Sequence, residues 1–241
     1  MAPDYLVDAG NTSCKVVATQ AGALGTILRY DSTSFPKELT RPGLWVVLAG
    51  SNLEILDQWQ IQINNCGSKG QILTRDTVPI RKAMDDPSTV GVDRLLACLG
   101  AQSLHGKGPH LVVDSGTAIT ANLIGQDGHF CGGAIGPGFG LMNRALAEKT
   151  SALFEVEMNQ SIAQFPASTT RDAIRLGVHM AAIGFVRQAW EWASEKYPGC
   201  PLHLTGRDAP LLHPNFPRAM LNEQLLFHGM LATIHLPKIT P

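Results

Sequence analysis

Leu111 to Leu123 reads LVVDSGTAITANL. The β-branched pair Val112-Val113, the bend Asp114-Ser115-Gly116-Thr117 and the alternation Ile119, Ala121, Leu123 predict two strands joined by a glycine turn. The bend carries the chemistry. A carboxylate ending a buried strand, followed by glycine and a hydroxyl, offers backbone N–H groups to an anion and oxygen to a cation. The pattern occurs once before. Leu6-Val7-Asp8-Ala9-Gly10-Asn11-Thr12-Ser13-Cys14-Lys15 opens the chain with the same acid-and-glycine hairpin and runs into a second alternating strand. A duplicated hairpin of this kind points to two α/β lobes that share a phosphate-binding cleft.

The composition is compatible with that. The chain has 241 residues, enough for two modest lobes. A net charge of -1 is unlike the basic footprint of a nucleic-acid binder, so no nucleic-acid partner is expected. Cys14, Cys66, Cys98, Cys131 and Cys200 are odd in number and never at metal-ligand spacing, as expected of reduced thiols in a cytoplasmic protein. No apolar run reaches the ~18 residues of a membrane span, and the first ten residues enter a strand with no signal-peptide pattern. A soluble, intracellular protein is the expectation. No Walker A loop, GxSxG elbow, GxGxxG fingerprint or HExxH pair is present.

Outward from the two hairpins, the pattern predicts an antiparallel meander over residues 5–30 and a fully buried strand Leu44 to Gly50. A helix with Leu53, Leu56, Trp59 and Ile63 on one face and a strand near Gln71 to Thr74 follow. Gly91-Val92-Asp93-Arg94 leads into an amphipathic helix. Asp93 there reads either as a cap in the helix dipole or as an acceptor for a substrate hydroxyl proton, and Arg94 either as a surface charge or as a grip for an anion. The first hairpin is equally open between a turn and a polyphosphate loop in which Lys15 supplies charge and Asp8 holds hydrated Mg²⁺. His105 to Pro109 is the expected lobe boundary, giving lobes 1–107 and 108–241. Gly132 to Gly140 is read as a glycine loop, either a wall of a ligand site or a place of close helix–strand packing. Thr169 caps a long helix to about Glu195, apolar nearly all round in its middle and so expected to be buried on more than one side. Leu202 to Gly206 is a short buried strand, and a last helix runs from about Asn222 to Ile234.

The ordered set Asp8-Ala9-Gly10-Asn11-Thr12, Gly91-Val92-Asp93-Arg94, Asp114-Ser115-Gly116-Thr117-Ala118, Gly132-Gly133 with Pro137-Gly138, and Ile174-Arg175-Leu176-Gly177 resembles the motifs of type III pantothenate kinases. These belong to the actin-like ATPase and sugar-kinase superfamily. The resemblance implies an α/β fold of two actin-like, ribonuclease H-like βββαβ lobes with a cleft between them. It also implies phosphorylation of pantothenate to 4'-phosphopantothenate by ATP, the first step of coenzyme A biosynthesis. By the same resemblance Asp8, Ala9, Gly10, Asn11, Thr12, Ser13, Cys14 and Lys15 form the ATP loop with Asp8 near Mg²⁺, and Thr117 contacts ATP. Gly91, Val92, Asp93, Arg94 and Thr170 hold pantothenate, and Asp93 is the base. Asp93 is expected to titrate near its ordinary value and to act mainly by orienting the hydroxyl. Asp114 binds the monovalent cation, K⁺ or NH₄⁺, and the protein is a homodimer. Three departures stand out: Arg207 where the family often has a second glycine, Met84 in the region of a common tyrosine, and Leu153-Phe154 in place of a proline. The competing expectations are a superfamily kinase for another small hydroxy substrate and a non-catalytic regulatory accessory protein.

Overall fold

The computed structural model describes residues 2–32, 34–159 and 164–236. Contacts divide the chain into two units. One takes the described residues of Met1–Lys107, Gly128–Phe130 and Gln224–Pro241, and the other those of Gly108–Asp127 and Cys131–Glu223.

In the first unit, β1 (Tyr5–Ala9), β2 (Ser13–Gln20) and β3 (Ala23–Asp31) form the expected antiparallel meander. β4 (Trp45–Gly50) lies parallel to β1, and β5 (Lys69–Ile72) parallel to β4, giving the sheet order β3-β2-β1-β4-β5. Between β4 and β5 runs α1 (Leu53–Asn65), whose first turn is capped by Asn52 Oδ1 accepting from the Ile55 N–H at 3.3 Å. Its apolar stripe, Leu56, Trp59 and Ile63, closes on Val7, Ala9, Cys14, Val16, Val46 and Leu48. Burial of this kind contributes about 1.5–3 kcal/mol per large side chain. Because strand side chains alternate, Leu6 and Asp8 point to the opposite face.

Two helices complete this unit: α2 (Val92–His105) and, from the far end of the chain, α6 (Leu225–His235). They cross at glycines. A Cβ on Gly100 would sit 1.9 Å from the Leu225 carbonyl oxygen, and one on Gly229 would sit 1.9 Å from that of Leu96. This crossing draws residues 224–236 into the first unit, so the block 108–241 expected from the sequence does not hold together as one unit. Gly128–Phe130 is drawn in too, with Gln102 Nε2 donating to the Gly128 carbonyl at 2.5 Å and the Phe130 N–H to that of Arg81 at 2.8 Å.

The second unit repeats the plan. β6 (His110–Ser115) pairs antiparallel with β7 (Ala118–Ile124) and parallel with β9 (Leu202–Thr205), and β9 pairs parallel with β10 (Met220–Leu221). The sheet order is β10-β9-β6-β7-β8. The glycine run expected as a loop is largely strand β8 (Phe130–Pro137). Glycine is required there by packing. A Cβ on Gly133 would lie 1.9 Å from the Ala121 carbonyl oxygen, and one on Gly136 would lie 3.3 Å from the Phe185 ring. α3 (Phe139–Lys149) and α4 (Thr170–Lys196) cover one face, where Leu111, Val113, Ile119 and Ala121 meet Phe139, Val178, Ala182 and Val186. α4 is not buried all round. Met180 is 55% exposed and Trp192 63% exposed, because only one stripe of the helix reaches the sheet. α5 (Ala209–Leu212) is a single turn after β9.

The glycine crossing yields a direct expectation. Gly229→Ala forces α6 off α2 and lowers the free energy of unfolding by about 1–3 kcal/mol, read as an earlier midpoint in urea unfolding with an unchanged slope.

Candidate active site

In the first unit Asp8 is 7% exposed and lies directly opposite Lys15 in the β1–β2 register, whose Nζ donates to Asp8 Oδ2 at 2.9 Å. The bend between the strands is Gly10-Asn11-Thr12, closed by the Gly10 N–H donating to the Ser13 carbonyl at 3.2 Å, with Asn11 and Thr12 exposed at its tip. Sequence reasoning missed the residue that fixes this bend. Gly50, at φ +153°, ends β4 against Ala9, and a Cβ there would lie 2.1 Å from the Ala9 carbonyl oxygen. Cys14 contributes backbone to the loop. Burial first, then the neighbouring Asp8 charge, push its thiol up to about 12 against the opposing pull of Lys15, so it is no nucleophile.

Asp93 is the second residue of α2, behind Gly91 at the cap position. Its carboxylate folds back so far that a Cβ on Gly91 would lie 2.3 Å from Asp93 Oδ1. A side chain at 91 would therefore displace the carboxylate from this position. Burial pushes the Asp93 carboxyl above the ordinary carboxylate range, and the negative charge of Asp8 adds to the shift. The backbone N–H groups of Arg94 and Asp93 and the Arg94 charge pull the other way. This corrects the expectation of an ordinary value, since the sequence could not reveal that the helix start is partly buried beside Asp8. Arg94 lays its guanidinium over the buried Phe130 ring, 5.4 Å from the centroid. Phe130 is a supporting residue for which the sequence offered no signal. Asp8, Lys15, Gly91, Asp93 and Arg94 thus belong to one cluster within the first unit.

The second unit builds its own cluster around Asp114. Thr120 on β7 and Thr205 on β9 are the register partners of Asp114, so their side chains share its face of the sheet. Two glycines pin the surrounding loops. Gly206, at φ +91°, would place a Cβ 2.2 Å from Asp114 Oδ1, and Gly138 would place one 2.0 Å from the Gly116 carbonyl oxygen. The Gly138 N–H donates to the Thr117 carbonyl at 3.0 Å, and the Asp208 N–H to that of Ser115 at 2.8 Å. Thr117 is exposed at the tip of this bend. Thr170 is the first residue of α4 and exposed. Its neighbour Thr169 is the cap, with Oγ1 accepting from the Asp172 N–H at 3.1 Å and donating to Asp172 Oδ2 at 2.8 Å.

The donor chemistry of each cluster suits a hard cation. Asp8 and Asp93 supply carboxylate oxygen, and no group of three or more His, Cys, Asp or Glu side chains able to hold a metal occurs among the described residues. Mg²⁺ keeps most of its water and takes one or two carboxylates beside substrate phosphates, which the two carboxylates fit. Asp114 with Thr120 and Thr205 is an all-oxygen set, suited to a monovalent cation. No helix among the described residues is long and apolar enough to cross a membrane.

The fold has solved counterparts. A protein from Campylobacter jejuni assigned to the Baf family of transcriptional activators superposes with a TM-score of 0.68 at 21% identity, covering 95% of this chain and 96% of that one. One from Sinorhizobium meliloti assigned as a 2-dehydro-3-deoxygalactonokinase gives 0.61 at 15% identity, covering 95% and 97%. At these identities the likeness shows the fold, that of the actin-like ATPases and sugar kinases. Sequence relatives are closer. The type III pantothenate kinase of Ectopseudomonas mendocina (strain ymp) is 30% identical over 78% of this chain and 84% of its own length. That of Azoarcus sp. (strain BH72) is 35% identical over 76% and 72%. A family profile described as type III pantothenate kinase matches residues 5–192, which contain both acid-glycine hairpins, the Gly91–Arg94 turn and the start of α4. The chain belongs to the type III pantothenate kinase family.

Proposed function

We propose that the protein phosphorylates the primary hydroxyl of pantothenate with ATP, giving 4'-phosphopantothenate and ADP as the opening step of coenzyme A biosynthesis. Family membership supports the reaction, and the observation that carries the mechanism is the buried Asp93 carboxyl with its raised pKa beside Asp8. Phosphoryl transfer asks the protein chiefly for positioning and charge stabilisation. Gly91 to Arg94 hold pantothenate with its hydroxyl at Asp93, and Thr170 adds a contact. Asp93 accepts the hydroxyl proton as the new P–O bond forms. A raised pKa makes it a better acceptor than an exposed aspartate, so it acts by basicity as well as by orientation. Asp8 to Lys15 bind the triphosphate through the Gly10-Asn11-Thr12 bend, and Lys15 compensates the Asp8 charge. Mg²⁺ at Asp8 and K⁺ or NH₄⁺ at Asp114 would neutralise phosphate charge, while Thr117 contacts the nucleotide.

The working form is a homodimer built on α4. Ala173, Gly177, Met180, Ala181 and Gly184 are all exposed and uncharged along one side of the helix. An uncharged, self-complementary face of small residues suits a second copy of the same helix. The cytoplasm suits the five cysteines, all free thiols.

Asp93→Asn should reduce turnover by roughly 10²- to 10⁴-fold while ATP binding stays intact, and near-normal turnover would remove the base. In wild-type enzyme the acid limb of kcat/KM should lie above the ~3.9 of an unperturbed aspartate, with activity falling as pH drops and Asp93 becomes protonated. Stability follows the opposite sign. A carboxyl whose pKa is raised by folding costs stability from the unfolded-state pKa upward, and the cost is complete once pH exceeds the raised folded-state value. Asp93→Asn should therefore raise Tm at neutral pH, with the gain shrinking in acid. For the cation, Asp114→Asn should move the K⁺ concentration for half-maximal rate upward, and an unchanged K⁺ titration would dismiss the assignment. For assembly, Met180→Glu should yield a monomer in sedimentation with the unit still folded, and an unchanged dimer would place the interface elsewhere.

A further inference from the structure

Three backbone segments of the second unit meet at the carboxyl ends of the parallel strands β6 and β9. They are the bend after Asp114, the turn at Gly138 and the turn at Gly206, joined by Asp208 N–H to Ser115 O and Gly138 N–H to Thr117 O. The carboxyl edge of parallel strands is where α/β sheets receive ligands. Across residues 114–118, 136–140 and 205–210 only one cationic side chain occurs, Arg207.

Arg207 is the first side chain after the Gly206 bend and is anchored at one edge. Its Nε–H donates to Asp208 Oδ1 at 3.0 Å, with the arginine side chain 54% exposed and the aspartate 14%. Asp208 is itself tied to β6 through its backbone. Among the described residues the Nη groups of Arg207 have no hydrogen-bond partner. The result is a flat guanidinium held by its inner edge, with its outer edge and faces turned to solvent. Its charge is offset by Asp208, so the pair adds no net positive charge for a polyphosphate. A planar, weakly hydrated group with its charge balanced is suited to stacking on an uncharged aromatic ring.

We propose that the Asp208-anchored guanidinium of Arg207 is the platform for the purine ring of the nucleotide and sets the preference for purine over pyrimidine triphosphates. The proposal rests on the kinase reading in that it takes the ligand at this edge to be a nucleotide. It adds a specificity residue at the place where the chain departs from the double glycine of its family resemblance.

The test uses the full-length protein without pantothenate. ATP, CTP and inorganic tripolyphosphate are titrated calorimetrically into wild type, Arg207→Ala, Arg207→Lys and Asp208→Asn, and KM and kcat are measured for ATP and CTP. Arg207→Ala should weaken ATP binding by roughly 3- to 30-fold, the size of an exposed to partly desolvated cation–π contact. Tripolyphosphate binding should not change, and the ATP-to-CTP ratio should narrow, with the change falling in KM for ATP. Arg207→Lys keeps the charge but not the plane and should behave like alanine, and Asp208→Asn should show part of the loss. Equal losses for ATP, CTP and tripolyphosphate would reassign Arg207 to the phosphates and overturn the proposal, as would unchanged ATP affinity in Arg207→Ala or a wild type that binds no ATP. A wild type that binds ATP but does not phosphorylate pantothenate would overturn the substrate reading alone, and the binding series would still decide Arg207.

Discussion

Backbone pressed against backbone at strand ends is the constraint from which the rest of this structure follows. In the first unit Gly50 at the end of β4 touches the Ala9 carbonyl beside Asp8, and in the second Gly206 at the end of β9 touches the Asp114 carboxylate and the Ser115 carbonyl. Gly138 does the same to Gly116. At each place a side chain would lie 2.0–2.2 Å from an oxygen, a separation no packing adjustment tolerates. Gly50 and Gly206 also hold positive φ angles that L side chains rarely adopt. The two bends are thereby fixed by packing, and each is closed by its own backbone, the Gly10 N–H donating to the Ser13 carbonyl and the Gly116 N–H to that of Ala118.

Charge is placed on that rigid frame with the same economy. Asp93 is partly buried and feels the Asp8 charge, two acids whose mutual repulsion the fold tolerates because Lys15 and Arg94 stand beside them. Strain of this kind is retained where chemistry needs it. Burial and the Asp8 charge raise the Asp93 pKa, and the Arg94 charge with two backbone N–H groups opposes them.

The fold was legible wherever the hydrophobic period was unbroken. The meander, the buried strand β4, the stripe of α1 and the capped start of α4 all follow from alternation, helical spacing and a threonine cap. β8 was not legible, since Gly132 to Pro137 lacks the side chains that announce a strand, and its glycines answer to a positive φ at Gly132 and to contact of Gly133 with Ala121 and of Gly136 with Phe185, both remote in sequence. The placement of α6 against α2 was hidden for a related reason. Gly100 and Gly229 are ordinary helix glycines until they are seen to face one another's backbone. In the candidate site the acids could be named from motifs, but the elevated pKa of Asp93, the Phe130 support under Arg94 and the roles of Gly50 and Gly206 depend on burial and long-range contact.

The duplication also gives the two similar hairpins different surroundings in register. Register places Lys15 opposite Asp8 and places Thr120 at the matching position opposite Asp114. On the parallel side the partner of Asp8 is Ala49, whereas that of Asp114 is Thr205. The first carboxylate therefore meets an ammonium 2.9 Å away, which offsets its charge. The second is flanked in register by two hydroxyls, which add oxygen donors without adding positive charge. The two copies of the hairpin thus differ at both flanking register positions, lysine against threonine on the antiparallel side and alanine against threonine on the parallel side.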